Sequence, residues 1–172
     1  AYSVVNSRGW YINGLMQTYE TILQPGKPTL TTYFDKLGRK YLTSMMGFNN
    51  QAIYSQTTYD ARGNVASQSN SYLANETPIT TNYAYDDLNR QSSVSNPTAI
   101  INMAYAYSNG DLVTTTINAS TNQTKSVTTD PSGKPISVTD HGGSLTYEYD
   151  SWGNEVKVKN GGNTYIEKVY DA

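Results

Sequence analysis

The sequence predicts an all-β fold made of repeated antiparallel β-hairpins. Three observations carry that reading. Thr, Ser, Asn, Tyr and Gly dominate while Leu, Glu and Lys are sparse, a strand-and-turn composition. A phrase of the form aromatic-Asp-x-x-Gly recurs through the chain. Runs of alternating polar and β-branched residues lie between clusters of turn formers.

Taken in order, the first thirty residues fit the pattern least tightly. Asn6-Ser7-Arg8-Gly9 reads as a degenerate first turn, and Leu15 to Leu23 reads as a strand, with a short helix as the alternative. Pro25-Gly26-Lys27-Pro28 turns the chain into a strand over Thr29 to Phe34. Residues 1–28 are therefore expected to be a lead-in hairpin, and 29–172 a tandem array. The array shows itself on aligning YFDKLGR at Tyr33, TYDARGN at Thr58, AYDDLNR at Ala84, AYSNGD at Ala106, TTDPSGK at Thr128, EYDSWGN at Glu148 and the stub VYDA at Val169. Its anchors, Asp35, Asp60, Asp86, Ser108, Asp130, Asp150 and Asp171, lie 20 to 26 residues apart, which implies one supersecondary unit with a variable loop. In each unit a strand such as Thr81 to Tyr85 comes in, the Asp step turns it, and a strand such as Arg90 to Val94 leaves. Looser second turns follow at Gly47 to Asn50, Leu73 to Pro78, Asn96-Pro97, Asn118 to Asn122, His141 to Gly143 and Asn160 to Gly162.

The residue types in the phrase suit a three-residue hairpin loop, a type I turn closed by a left-handed residue in a bulge. Asp accepts from the N–H groups ahead of it. Gly38, Gly63, Gly133 and Gly153 occupy the slot that needs positive φ, and Asn89, the next most tolerant type, fills it after Asp86. Asp35 should face Arg39, Asp86 should face Arg90 and Asp130 should face Lys134, each pair contributing about 0.2–1 kcal/mol, while Asp60 and Asp150 meet Asn64 and Asn154. Ser108-Asn109-Gly110-Asp111 reads instead as a two-residue type I′ turn. Phe34, Tyr59, Tyr85, Tyr107, Tyr149 and Tyr170 hold the aromatic slot. Tyr83 with Tyr85, Tyr105 with Tyr107, and Tyr147 with Tyr149 share strand faces, so tyrosine columns across neighbouring hairpins are expected.

Sixteen Tyr stand against two Phe and two Trp, and there is no Cys, which removes disulfides and thiolate metal sites. The net charge of −2, with 15% charged residues, argues against a nucleic-acid surface. The 172 residues suffice for one domain with a respectable core, and no apolar run is long enough to span a bilayer. Both ends look cut, the last inside a repeat. The repeated Asp lacks the dense glycine pattern of calcium-binding repeats, so no metal or cofactor is expected. His141, the one histidine, sits in a turn without partners for a triad, and no catalytic residue is expected. Asp130-Pro131 is in register with the other turns, the Asn-x-Ser/Thr sites at Asn75, Asn118 and Asn122 carry no firm meaning, and Trp152, sharing its slot with Leu37 and Leu88, should pack.

Tyr-x-Tyr-Asp-x-x-Gly-Arg at this period resembles the YD or RHS repeat. The block from Thr32 to Arg90 looks most like the RHS region of the B component of bacterial insecticidal Tc toxins and of related RHS-repeat toxins. The resemblance implies a curved, spiralling β-sheet that forms a hollow shell around a C-terminal toxin polypeptide, secreted by a bacterium and without chemistry of its own. The implied partners are the remaining repeats, the enclosed polypeptide and other toxin-complex subunits. A cell-surface adhesion or carbohydrate-binding module is the alternative. An excised piece is expected to self-associate through its sheet edges.

Overall fold

The computed structural model describes residues 3–10, 16–47 and 50–170, and for 3–10 and 16–17 the backbone alone. These residues form sixteen β-strands: β1 Ser3–Trp10, β2 Met16–Leu23, β3 Leu30–Phe34, β4 Lys40–Met46, β5 Ala52–Tyr59, β6 Val65–Ser69, β7 Tyr72–Leu73, β8 Thr80–Tyr85, β9 Gln91–Asn96, β10 Ala99–Ser108, β11 Asp111–Asn118, β12 Gln123–Thr129, β13 Pro135–Asp140, β14 Gly143–Tyr149, β15 Glu155–Asn160 and β16 Asn163–Glu167. The all-β reading holds, as does its hairpin-after-hairpin order. Among the described residues no helix is long and apolar enough to cross a membrane.

The chain divides into two compact units, Ala1–Ala84 with Ser95–Pro97, and Tyr85–Val94 with Thr98–Ala172. In the first, strands pair in chain order from β1 to β6 and then β8, all antiparallel. One irregularity interrupts the order. β5 pairs with β6 through Thr57–Tyr59 and with the short β7 through Ile53 and Tyr54. Ser69, at the junction, is 8% exposed, and its Oγ accepts the Gln56 N–H at 2.8 Å. A hydroxyl thus satisfies a backbone donor where the ladder changes partner. In the second unit β10 to β16 also pair in chain order and antiparallel.

Two expectations at the N-terminus are corrected. Asn6 to Gly9 lie inside β1, paired residue for residue with β2, from Asn6 opposite Glu20 to Gly9 opposite Gln17. A full-length partner strand satisfies these backbone groups better than a local turn does. Met16–Leu23 is a strand, so the helical alternative is gone; Leu15 lies outside the described residues.

Among the described residues the expected core is not found. Among the described residues Val158, 6% exposed, is the one buried hydrophobic side chain. Side chains stay half-exposed along whole strands, as in β3 and β9. With so little area removed from water, cohesion has to come from contacts between neighbouring strands and turns.

A candidate functional site in the repeated turn

Five turns share one hydrogen-bond scheme. In the first, the Asp35 N–H donates to the Arg39 carbonyl at 2.8 Å and the Gly38 N–H to the Asp35 carbonyl at 2.9 Å. The same two bonds recur at Asp60, Asp86, Asp130 and Asp150, between 2.8 and 3.1 Å. Each Asp Oδ1 accepts two more N–H groups, from the residues two and four ahead: Leu37 and Arg39, Arg62 and Asn64, Leu88 and Arg90, Ser132 and Lys134, Trp152 and Asn154. The fourth position is left-handed throughout, with φ of 77° at Gly38, 91° at Gly63, 61° at Asn89, 88° at Gly133 and 87° at Gly153. The type I turn with a bulge is therefore the geometry found, and register slips beside Phe34, Tyr59, Thr129 and Tyr149 mark the bulges.

The second carboxylate oxygen discriminates among the turns. Asp35 Oδ2 takes Arg39 Nε at 2.8 Å, and Asp86 Oδ2 takes Arg90 Nε at 2.7 Å. Asp60 and Asp150 take the side-chain amides of Asn64 and Asn154 at 3.1 and 3.0 Å. Asp130 departs from expectation. Its Oδ1 takes the Ser132 hydroxyl at 2.7 Å, and the Lys134 ammonium lies instead 5.2 Å from the Tyr149 ring centre. Lysine is a point charge on a flexible stem, so it reaches one of the two partners where an arginine fork spans both. Desolvation opposes ionisation of Asp35, Asp60, Asp86 and Asp150, yet the donated hydrogen bonds outweigh it and hold these carboxyls below the usual aspartate range. At Asp130 the Lys134 N–H is the leading cause of the same downward shift, followed by the Ser132 hydroxyl.

A second layer of contacts joins each turn to the next hairpin. The Arg39 guanidinium sits 4.3 Å from the centre of the Tyr59 ring, and the Tyr59 hydroxyl donates to the Lys40 carbonyl at 2.7 Å. Arg90 lies 4.2 Å from the Tyr105 ring centre, and the Tyr105 hydroxyl donates to Gln91 at 2.8 Å. Lys134 lies over Tyr149, whose hydroxyl donates to Pro135 at 2.8 Å. Tyr170 donates to Glu155 at 3.1 Å. In every case the acceptor is the residue after the one facing the Asp. At Asp35 and Asp86 the turn thus fixes an arginine, the arginine covers a ring from the next hairpin, and that ring's hydroxyl returns to the first hairpin's backbone. Two turn glycines have a further role. A Cβ on Gly63 would lie 3.7 Å from Arg39 Nη1, and one on Gly153 would run into Lys134 Nζ.

The other expected positions sort as follows. Phe34 pairs with Lys40 and holds the aromatic slot without a hydroxyl. Tyr85 is half-buried at the end of β8. Gly110, with φ of 93°, follows Asn109 at 54° between the paired Ser108 and Asp111, the type I′ turn expected. Tyr107, however, is 72% exposed, and Tyr105 makes the contact expected of it. β10 runs on for three residues beyond Tyr105 to Ser108, so the anchoring ring lies three residues before the turn anchor instead of one. Asp171 lies outside the described residues. Trp152, Leu37 and Leu88 do not pack: they are 89, 68 and 70% exposed at the turn tips, because the residue two beyond Asp points off the end of the hairpin. Tyrosine rings meet one another at Tyr19–Tyr33, Tyr33–Tyr41 and Tyr54–Tyr72, 5.9 to 6.4 Å apart, whereas Tyr105 and Tyr149 face cations. The alternation of face was legible, but which partner a ring takes depends on strand stagger.

His141 and Asp140 line an open polar cleft of roughly 500 Å³ with Gln123 and Thr124; no repeat-turn residue named above takes part in it. Among the described residues no three of His, Asp and Glu are grouped to hold a metal ion.

Residues 130–164 match the family model described as RHS Repeat. No curated protein matches the chain. The matched span covers the Asp130 turn, the Lys134–Tyr149 contact and the Asp150 turn, and the same scheme runs back to Asp35. Over residues 130–164 the chain is similar to the RHS repeat.

Proposed function

We propose that this chain is a non-catalytic wall segment of a secreted shell that encloses and delivers a toxic polypeptide. The single observation that carries the reading is the closure of the motif on itself. The polar atoms of the repeated Asp, the cation facing it and the next tyrosine meet one another or backbone. Such a motif repeats because it joins units, and a ligand site used once per repeat would instead leave groups aimed outward. The partners of such a wall are further repeats, the enclosed C-terminal polypeptide and other subunits of a toxin complex.

Limited proteolysis of the natural protein in which this segment occurs tests the reading. An enclosing wall predicts that the C-terminal polypeptide is cut only after the repeats are denatured. Equal cutting rates with native and denatured repeats would contradict it. A second reading, adhesion or carbohydrate binding, draws on the aromatic side chains displayed at the surface, Trp152, Tyr107 and Tyr165; it predicts saturable binding to cells or glycans that is lost on replacing Trp152.

A further inference from the structure

We propose that the split end of the β12–β13 ladder, between Thr124 and His141, is a docking site for an extended polypeptide segment that pairs with it through main-chain hydrogen bonds. β11 and β12 pair as far as Asn118 opposite Gln123, whereas β12 and β13 pair only as far as Ser126 opposite Thr139. β13 stops there because Asp140 and Gly143 close a tight turn onto β14, with the Gly142 N–H on Asp140 Oδ1 at 2.8 Å. Main-chain groups point to alternate sides along a strand. The Asp130 N–H donates across to the Lys134 carbonyl, so Thr124, in step with Asp130, Thr128 and Ser126, turns its N–H and C=O toward β13. Two places beyond the last pair Thr124 stands level with His141, yet no main-chain hydrogen bond joins them. The split lies inside the sheet, with β10 and β11 on one side and β14 and β15 on the other.

The chemistry around the split selects a peptide as the occupant. Open hollows of roughly 500 and 440 Å³ meet there, and Gln123, Thr124, Asp140 and His141 line both. Their linings hold hydroxyls, amides and charged groups and no aliphatic side chain, which gives an apolar ligand nothing to rest on. The Asp140 carboxylate opposes a polyanion. A free donor and a free acceptor carried by one strand residue are what the main chain of a further strand satisfies, the basis of strand addition. Lys125, exposed beside Thr124, lines the second hollow and enters none of the ion pairs among the described residues. The segment that fits therefore carries a carboxylate side chain next to the paired main chain.

Fluorescence anisotropy of a labelled, capped pentapeptide, acetyl-Val-Thr-Glu-Thr-Val-amide, titrated with the 172-residue chain, tests the site. Binding should saturate between micromolar and millimolar chain. Thr124→Pro removes the free N–H without breaking a pair that the fold uses. It should leave the melting temperature in place and weaken binding about three- to tenfold, the worth of one main-chain hydrogen bond. Lys125→Gln should weaken binding of this peptide and leave unchanged that of a version with Gln in place of Glu. The same peptide N-methylated throughout keeps its side chains, loses its main-chain donors and should not bind, a comparison that needs no substitution in the chain. Absence of saturation at millimolar chain would overturn the proposal, as would equal binding of the N-methylated peptide. Unchanged binding to Thr124→Pro would put the peptide on another part of the sheet and overturn it equally.

Discussion

Asp60 and Gly63 show how little of the repeated phrase is left over for anything but the turn. Asp60 Oδ1 holds the N–H groups of Arg62 and Asn64, Oδ2 holds the Asn64 amide, and Gly63 closes the loop at φ 91°. Gly63→Val forces a β-branched residue into the left-handed region, where a non-glycine residue costs about 1–2 kcal/mol. Thermal unfolding should therefore show a larger loss for Gly63→Val than for Val65→Thr, whose backbone is an extended strand. The tyrosine hydroxyls give a second prediction at this scale. Tyr59→Phe removes the bond to the Lys40 carbonyl and should cost about 0.5–1.5 kcal/mol. Tyr107→Phe, on a ring 72% exposed, should leave the unfolding midpoint where it is. The turn chemistry was legible in the sequence because it is local: Asp, the left-handed slot and the residue facing Asp lie within five positions. The hydroxyl contact was not, because Tyr59 and Lys40 meet across two strands, and no local pattern gives the stagger between hairpins.

At the scale of the hairpin, what varies between repeats is the residue four beyond Asp. Arg39 and Arg90 bridge the carboxylate and the next ring; Lys134 reaches the ring alone. Lys134→Arg should therefore let the Asp130 turn adopt the arrangement seen at Asp35, and should raise the melting temperature. A fall or no change would show that the guanidinium fork is not what joins carboxylate to ring. The β10–β11 hairpin illustrates the limit of reading repeats by alignment. Its turn type was predictable from Asn109-Gly110, but alignment on Ser108 put Tyr107 in the anchoring slot. The structure gives that contact to Tyr105, because a longer hairpin moves the turn outward and leaves the inter-strand contact in place. Element type thus followed from residue chemistry, while the working tyrosine followed from where neighbouring strands cross.

At the largest scale, the near absence of buried hydrophobic side chains among the described residues makes the turns and their links the main carriers of cohesion. That dependence should be visible in acid. Asp35, Asp60, Asp86, Asp130 and Asp150 all have carboxyls held below the ordinary range in the folded state. Their contribution is then fully present above the unfolded-state pKa and is lost as pH falls through the lower folded values. The melting temperature should hold level from neutral pH into mild acid and then drop, and Asp35→Asn should flatten that drop. A core was expected from chain length, but length bounds only what a chain can bury, and here strands rich in Thr, Ser and Asn offer little apolar area. The central claim is that the Asp turn and the next hairpin's tyrosine act together as a link between repeats. A double-mutant cycle on Arg39→Met and Tyr59→Leu, followed by chemical unfolding, isolates that link, since the Arg39–Asp35 contribution cancels within the cycle. The account predicts a favourable coupling of about 0.5–1 kcal/mol, and strictly additive effects of the two substitutions would contradict it.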